Sequence, residues 1–249
     1  METILEVKGL SGGYIWNRPI IREIDFSVGP GEMIGLIGLN GAGKSTTIKH
    51  ILGLLAPHEG SVRILGREAG QSAETYRSSF AYVPESPELY EELTIREHLR
   101  MTSMAYGLDS AQFEQKSAVL AGQFDMTNKL DSFPQTLSKG MRQKVMIMNA
   151  FLTEPPLYII DEPFLGLDPL GIRSLLELMV ERKRQGASFL ISSHILSTLE
   201  TYCDRFIVLH RGRIAAQGAL SNLRSQVPGS GPESTLDELF YTLVKGGAS

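Results

Sequence analysis

The chain has 249 residues, 42% hydrophobic and 21% charged, which is ordinary globular usage. That length gives one large domain or two modest ones, with core enough to fold without disulfide or metal staples, so composition disfavours collagen, coiled coil and disorder. With 24 Lys and Arg against 28 Asp and Glu, the formal net charge is −4. This lacks the basic surplus of a general nucleic-acid binder, so no nucleic acid is expected as a partner.

Cys203 is the single cysteine, so an internal disulfide and a thiolate metal cluster are both ruled out, and a reducing cytoplasm fits. The first residues, Met1-Glu-Thr-Ile-Leu-Glu-Val-Lys8, lack a basic segment followed by a long apolar stretch, which predicts no signal peptide. The longest stretch free of Asp, Glu, Lys and Arg runs from Gln185 to Leu199 and holds His194 and four serines. A membrane helix needs about 20 mainly apolar residues, so none is expected.

In chain order, apolar runs alternate with helical patterns, which predicts an α/β fold. Strands are expected at Ile4–Val7, Ile20–Val28 and Met33–Ile37, then a helix over Lys44–Leu54 and a strand over Ser61–Leu65. From Glu88 to Thr153 the pattern turns helical, with Thr94 as a cap before Ile95–Tyr106. Strands return at Leu157–Ile160, Ser188–Ile191 and Arg205–Leu209, so a helical segment interrupts a sheet domain. Ser225–Ser234, rich in Ser, Gly and Pro, reads as a linker. A short helix follows, with Ser234 as its N-cap and Leu236, Leu239, Phe240 and Leu243 on one face. No repeat of solenoid period is present.

Gly38-Leu39-Asn40-Gly41-Ala42-Gly43-Lys44-Ser45 fits G-x-x-x-x-G-K-[ST], the P-loop, between a short apolar strand and a helix. Glycines let the backbone wrap so that successive N–H groups meet phosphate oxygens, and the helix N-terminus adds partial positive charge. Lys44 then reaches the β- and γ-phosphates, the Ser45 hydroxyl binds Mg²⁺, and Thr46 completes the phosphate-binding set. A glycine turn before a surface helix is the bland alternative, and the eight-residue pattern in this context outweighs it. Asn128-Lys-Leu-Asp131 spells the N-K-x-D of a guanine-specificity loop, but it lies inside the helical segment with no apolar run before it and reads as a chance match.

Leu157-Tyr-Ile-Ile-Asp161-Glu162 is an apolar strand ending in two carboxylates, the Walker B arrangement. Asp161 is suited to hold Mg²⁺ and Glu162 to polarise an attacking water as general base. Alone it would pass for a buried strand with solvated acids; the P-loop in the same chain removes most of that weight. Leu137-Ser138-Lys139-Gly140 alone would be an ordinary helix start. Beside the Walker pair it resembles the L-S-G-G-Q signature of ATP-binding cassette (ABC) proteins, with Lys139 and Met141 replacing the first glycine and the glutamine.

Further motifs of that family fall in order. Leu165-Gly-Leu-Asp168 resembles its D-loop, and His194 its switch histidine, which contacts the γ-phosphate. Tyr14, 24 residues before Gly38, stands where the family places an aromatic that stacks on adenine, with Trp16 as a rival. The sequence also resembles, more narrowly, ATPase subunits of Ecs-type bacterial ABC transporters, through Gly12-Gly-Tyr14, Pro84-Glu-Ser-Pro87, Leu89-Tyr-Glu-Glu-Leu-Thr94, Ser138–Met148 and Asp161–Pro169. One departure is Glu85, which stands at the end of Ala81-Tyr-Val-Pro-Glu85 where the family usually has the Q-loop glutamine.

The resemblance implies an α/β P-loop NTPase of the ABC nucleotide-binding-domain type: a RecA-like core with an N-terminal antiparallel β part and a helical subdomain inserted at about residues 86–153. It assigns residues 1–225 to the ATPase domain and 226–249 to a linker and short C-terminal helix. It implies ATP and Mg²⁺ as cofactors, with Glu162, His194 and Glu85 catalytic, Ser45, Glu85 and Asp161 on the metal, and Ser138 and Gly140 approaching the γ-phosphate. It implies a second copy as partner in an ATP-sandwich dimer, and an integral membrane subunit driven from the cytoplasmic face, in an exporter of peptides or a support of protein secretion. The rival is a soluble cassette ATPase that moves protein partners without transport. The roughly hundred residues between P-loop and signature carry no sustained heptads, which disfavours a chromosome-maintenance ATPase, and one P-loop disfavours a tandem ribosomal cassette.

Overall fold

Side chains alternate across a pleated strand, and here that alternation decides how the layers stack. The computed structural model describes residues 3–70, 73–227 and 229–246. Six strands form the central sheet: β3 (Met33–Gly38), β5 (Phe80–Val83), β6 (Leu157–Asp161), β7 (Ser188–Ser192), β8 (Arg205–His210) and β9 (Arg213–Gly218), in the order β5-β6-β7-β3-β8-β9. All neighbours are parallel except the β8–β9 hairpin. β3, β6 and β7 are buried along their whole length, the mark of a parallel sheet covered on both faces.

One face sends Ile34, Leu36, Ile159 and Leu190 toward a smaller antiparallel sheet, β2-β1-β4, made of β1 (Leu5–Gly12), β2 (Ile21–Val28) and β4 (Glu59–Ile64). Helix α1 (Lys44–Ile51) contributes Ile48 and Ile51 to that core, and the short α2 (Ala73–Arg77) contributes Tyr76. The other face sends Met33, Tyr158, Ile160 and Phe189 toward the remaining helices. Between β5 and β6 lie α3 (Ile95–Ala105), α4 (Ser110–Gln123) and α5 (Lys139–Leu152), the inserted helical subdomain. Thr94 with Glu97 and Asp109 with Gln112 close capping boxes on α3 and α4. A stack of Phe151, Tyr158 and Phe189, with ring centroids 4.4 and 4.9 Å apart, fastens α5 to the sheet; such pairs contribute about 0.5–1.5 kcal/mol each beyond their area. The α/β architecture with antiparallel β part and inserted helices is the one expected.

Boundaries differ in places. α1 stops at Ile51, not Leu54, because Gly53 takes φ 72° and ends the helix with a left-handed residue. β4 ends at Ile64 because Leu65 has φ 49°. Helix α6 (Pro169–Arg184) follows β6, and α7 (Leu196–Tyr202) follows β7. α8 (Leu220–Gln226) absorbs Ser225 and Gln226 of the expected linker, whose Pro228 lies outside the described residues, as do residues 247–249. α9 (Leu236–Gly246) buries Leu236 and Leu239 in the helical-side core, with Phe240 and Leu243 packed against it. Its cap is Thr235 and not Ser234. The Thr235 hydroxyl accepts from Glu238 N at 3.3 Å while Glu238 accepts from Thr235 N at 2.9 Å; Ser234 Oγ accepts from Gly231 N instead. Among the described residues no helix is long and apolar enough to cross a membrane.

Candidate functional site: a phosphate cavity at the carboxyl ends of the strands

In an open α/β sheet, ligands gather beyond the carboxyl ends of the strands. The order β5-β6-β7-β3 brings four such ends side by side: Glu85 after β5, Asp161 and Glu162 at β6, Ser192 and His194 at β7, and the glycine loop after β3. They enclose a cavity of about 460 Å³ lined by Leu39, Asn40, Gly41, Gly43, Lys44, Ser45, Thr46, Glu85, Asp161, Glu162 and His194, with Ile20 closing one side. Gly38 and Ala42 stand behind this wall. The loop demands glycine sterically: Gly43 has φ 112° and a Cβ there would meet Ile21 Cγ2 at 2.6 Å, while a Cβ on Gly38 would meet Leu209 O at 2.6 Å. Nothing lies within 4 Å of a Cβ built on Gly41, which leaves its side of the loop open.

Lys44 is buried, and its Nζ donates to Gly38 O at 2.7 Å, folded over the loop it belongs to. Burial lowers its pKa, against the attraction of Glu162, Asp161 and Glu85, which raise it. α1 has no acidic residue in its own first turn to offset its partial positive charge. Asp161 is buried and accepts from the Ser192 hydroxyl; burial raises its pKa, opposed by that hydrogen bond and by Lys44. Glu162 is also buried, and its carboxyl is likewise pushed up by burial and pulled down by His194. His194 donates its backbone N–H to one Glu162 oxygen at 3.0 Å, and its Nε2 lies 3.1 Å from the other, Oε1, without making a hydrogen bond to it. Glu162 has φ 47°, a conformation uncommon for a residue with a Cβ.

This donor set fits a nucleotide triphosphate with a divalent cation. Among the described residues no three His, Cys, Asp or Glu side chains converge as a metal cage. One or two carboxylates beside a phosphate cradle is the arrangement Mg²⁺ takes, since it keeps water and phosphate oxygens as its other ligands.

Two groups of expected site residues stand apart from the cavity. Tyr14 is exposed after β1, where its hydroxyl accepts from Lys49 Nζ at 3.1 Å. Its rival Trp16 packs against His58, ring centroids 4.7 Å apart and the planes tilted by 54°. Ser138 caps α5, accepting from Met141 N at 3.3 Å, and Gly140 lies so close to the D-loop that a Cβ would meet Gly166 O at 2.2 Å. Neither Ser138 nor Gly140 lines the cavity. Asn128 and Lys129 fall in a short 3-10 turn with Asp131 paired to Arg96 at 2.9 Å, as befits a solvated turn.

Sequence reasoning missed several residues. Ile20 carried no signal beyond hydrophobicity. Ser192 lay in a strand run with no distinguishing mark. The first turns of α5 also hold three loops at once: Arg142 pairs with Glu91 at 3.3 Å, Gln143 Nε2 donates to Pro84 O at 3.2 Å beside Glu85, and Lys144, itself buried, pairs with Asp168 at 2.9 Å. Asp168 caps α6 by accepting from Gly171 N at 2.6 Å, so Lys144 ties the signature helix to the D-loop.

The family described as "ABC transporter" matches residues 21–165. The chain is 54% identical over 243 residues, 98% of its length and 97% of the relative's, to the ABC-type transporter ATP-binding protein EcsA of Bacillus subtilis (strain 168). It is 32% identical over 213 residues, 86% of its length and 67% of the relative's, to the Nod factor export ATP-binding protein I of Rhizobium etli. A solved structure described as the ATP-binding subunit of an ABC transporter superposes with TM-score 0.93 at 56% identity, covering 97% of this chain and 99% of that one. A glycine cradle, a buried lysine and two buried carboxylates meet in one cavity on a fold shared with these proteins, and the chain belongs to the ATP-binding subunits of ABC transporters, which are ATPases.

Proposed function

We propose that this ATPase works as a pair of copies enclosing two ATP molecules and drives a separate integral membrane subunit, from the cytoplasmic face, in an exporter of the Ecs type. The observation that carries this reading is the separation of the two half-sites. Lys44, Glu85, Asp161, Glu162 and His194 share one cavity, while Ser138 and Gly140 lie outside it. A serine cap and a bare glycine at a helix start have a role at phosphate only if another copy's nucleotide reaches them.

In this reading Gly41, Gly43 and the α1 N-terminus receive the phosphate oxygens and Lys44 neutralises the β- and γ-phosphates. Ser45, Asp161 and Glu85 would hold Mg²⁺, which offsets charge on the phosphate oxygens during transfer. The Glu162 carboxylate takes a proton from water as the water oxygen attacks the γ-phosphorus, and the bond to the ADP oxygen breaks. His194 keeps that carboxylate aimed, and Tyr14 offers its exposed ring to adenine. Loss of the γ-phosphate removes the charge shared between two mildly acidic copies, which then part. Export is supported by the likeness to the Nod factor export protein of Rhizobium etli, and the membrane subunit by the kinship to EcsA; peptides or secretion support are the cargo class proposed.

Purification from detergent-solubilised membranes tests the reading. A stable integral membrane protein should travel with the chain, and ATP turnover by the reconstituted pair should rise with exported peptides. Recovery of soluble partners alone would favour the cassette ATPase without transport.

A further inference from the structure

Ser192 ends β7 directly opposite Asp161 of β6, and its side chain is completely buried. Its hydroxyl has one proton and two lone pairs. The proton goes to Asp161 Oδ1, and the oxygen accepts from the backbone N–H of Glu162 at 3.2 Å. The carbonyl of Ser192 accepts from the same Glu162 N–H at 3.1 Å. One residue thus grips two consecutive carboxylate-bearing residues from the neighbouring strand. Glu162 needs such a grip, because its backbone sits in the left-handed region at φ 47°, which side chains with a Cβ disfavour. Asp161 needs it because a carboxylate at the end of a short strand has two oxygens and a free rotation between them.

The next two residues do different work. Ser193 Oγ accepts from Ile195 N at 3.0 Å and shapes the turn, and His194 holds the Glu162 side chain. Ser192 is the one hydroxyl in this run that touches both acids.

We infer that Ser192 is a positioning residue for both carboxylates: its proton fixes which Asp161 oxygen faces the cavity, and its oxygen helps hold the backbone turn that aims Glu162. The inference rests on the reading that Asp161 and Ser45 hold Mg²⁺ with the nucleotide.

The test is equilibrium titration of the full chain with a fluorescent ATP analogue, in EDTA and across a Mg²⁺ series, beside steady-state kcat and KM. Ser192→Ala should bind in EDTA within about twofold of wild type, because the phosphate loop is untouched. Its Mg²⁺ concentration for half-maximal tightening should rise about tenfold, the scale on which groups behind a metal ligand act. kcat should fall by a similar factor with KM moving less, and Ser192→Thr, which keeps the hydroxyl, should recover both. An Ala variant that is folded by circular dichroism and has a Mg²⁺ midpoint within about twofold of wild type would overturn the inference and leave Ser192 a filler of the strand end. If Ser192→Ala does not fold, Ser192→Cys decides instead. A thiol is a weak donor, so its midpoint should lie above that of the Thr variant, and equality between the two would overturn the inference. Were wild type itself to show no Mg²⁺-dependent tightening, the failure would belong to the metal reading and not to Ser192.

Discussion

The cavity end of the sheet and the outer end of α5 are built on different principles. In the cavity, every charged group but Lys44, which opens α1, stands at the end of a strand or in the loop directly after it, and strand order brings Glu85, Asp161, Glu162, His194 and the glycine loop together. Backbone ladders fix those distances. The signature residues instead ride on a helix whose first turns are held by three side-chain contacts, to Glu91, Pro84 and Asp168. Only its far end is anchored in aromatic packing. One half-site is therefore set by sheet registry, and the other by side-chain contacts at the start of a helix. The strand-borne half should lose chemistry outright when altered. The helix-borne half should lose coordination between copies.

The largest break is expected at Glu162. Glu162→Gln keeps shape and the contact with His194 N–H but is no base, so steady-state hydrolysis should fall by about 10²–10⁴-fold. ATP binding should persist, with ATP now trapping the paired form, and light scattering with and without ATP reads both. A wild-type rate would remove Glu162 from its proposed role. Next comes Lys44→Ala. It deletes a charge-assisted contact worth about 1.5–3 kcal/mol, so nucleotide affinity itself should drop by roughly one to two orders of magnitude in an equilibrium titration.

On the helix-borne side, Lys144→Met keeps the buried stem and removes the ion pair to Asp168. Nucleotide affinity of the isolated chain should stay put while turnover of the paired form falls by about tenfold, the scale of one lost charged hydrogen bond. Lys144→Arg should recover part of it. A drop in affinity instead of turnover would mean that the two halves are not separable in this way. The smallest effect is expected at Glu85. Its exchange for glutamine takes an anionic ligand from the metal and a repelling charge from the phosphates, each on the order of 1 kcal/mol, so the changes nearly cancel. Glu85→Gln should keep most activity across a Mg²⁺ series, whereas Glu85→Ala, losing ligand and contact together, should impair hydrolysis and its stimulation by the membrane subunit. Equality of Glu85→Ala with wild type would make Glu85 a solvated loop acid.

What the sequence disclosed follows the same division. The glycine loop and the Asp161–Glu162 strand end are legible because local chemistry dictates them: no other residue suits the backbone at Gly43, and an apolar run ending in two acids has few other uses. Ser138 and Gly140 were legible only through family resemblance, since a serine cap is common currency among helices. Ser192 and Lys144 were not legible, because each acts on a residue 24 to 31 positions away, and pairing registers cannot be read from one strand. The cap of α9 was a different kind of miss. Ser234 and Thr235 are equally competent, but Glu238 lies three residues after Thr235, and that spacing favours the residue the structure uses.

The docking of α9 bears on how the molecule holds together around its site. Leu236 and Leu239 complete the same core that holds Phe151 and Phe189, and Leu236 N donates to Glu200 of α7, the helix that begins two residues after His194. That contact ties the helix after His194 to the same core that carries α5. Breaking it would loosen the core shared by Leu196, Leu199, Leu236 and Leu239 and raise the share of open forms that chaperones and proteases recognise. A change in α9, far from the cavity, can therefore be felt beside His194.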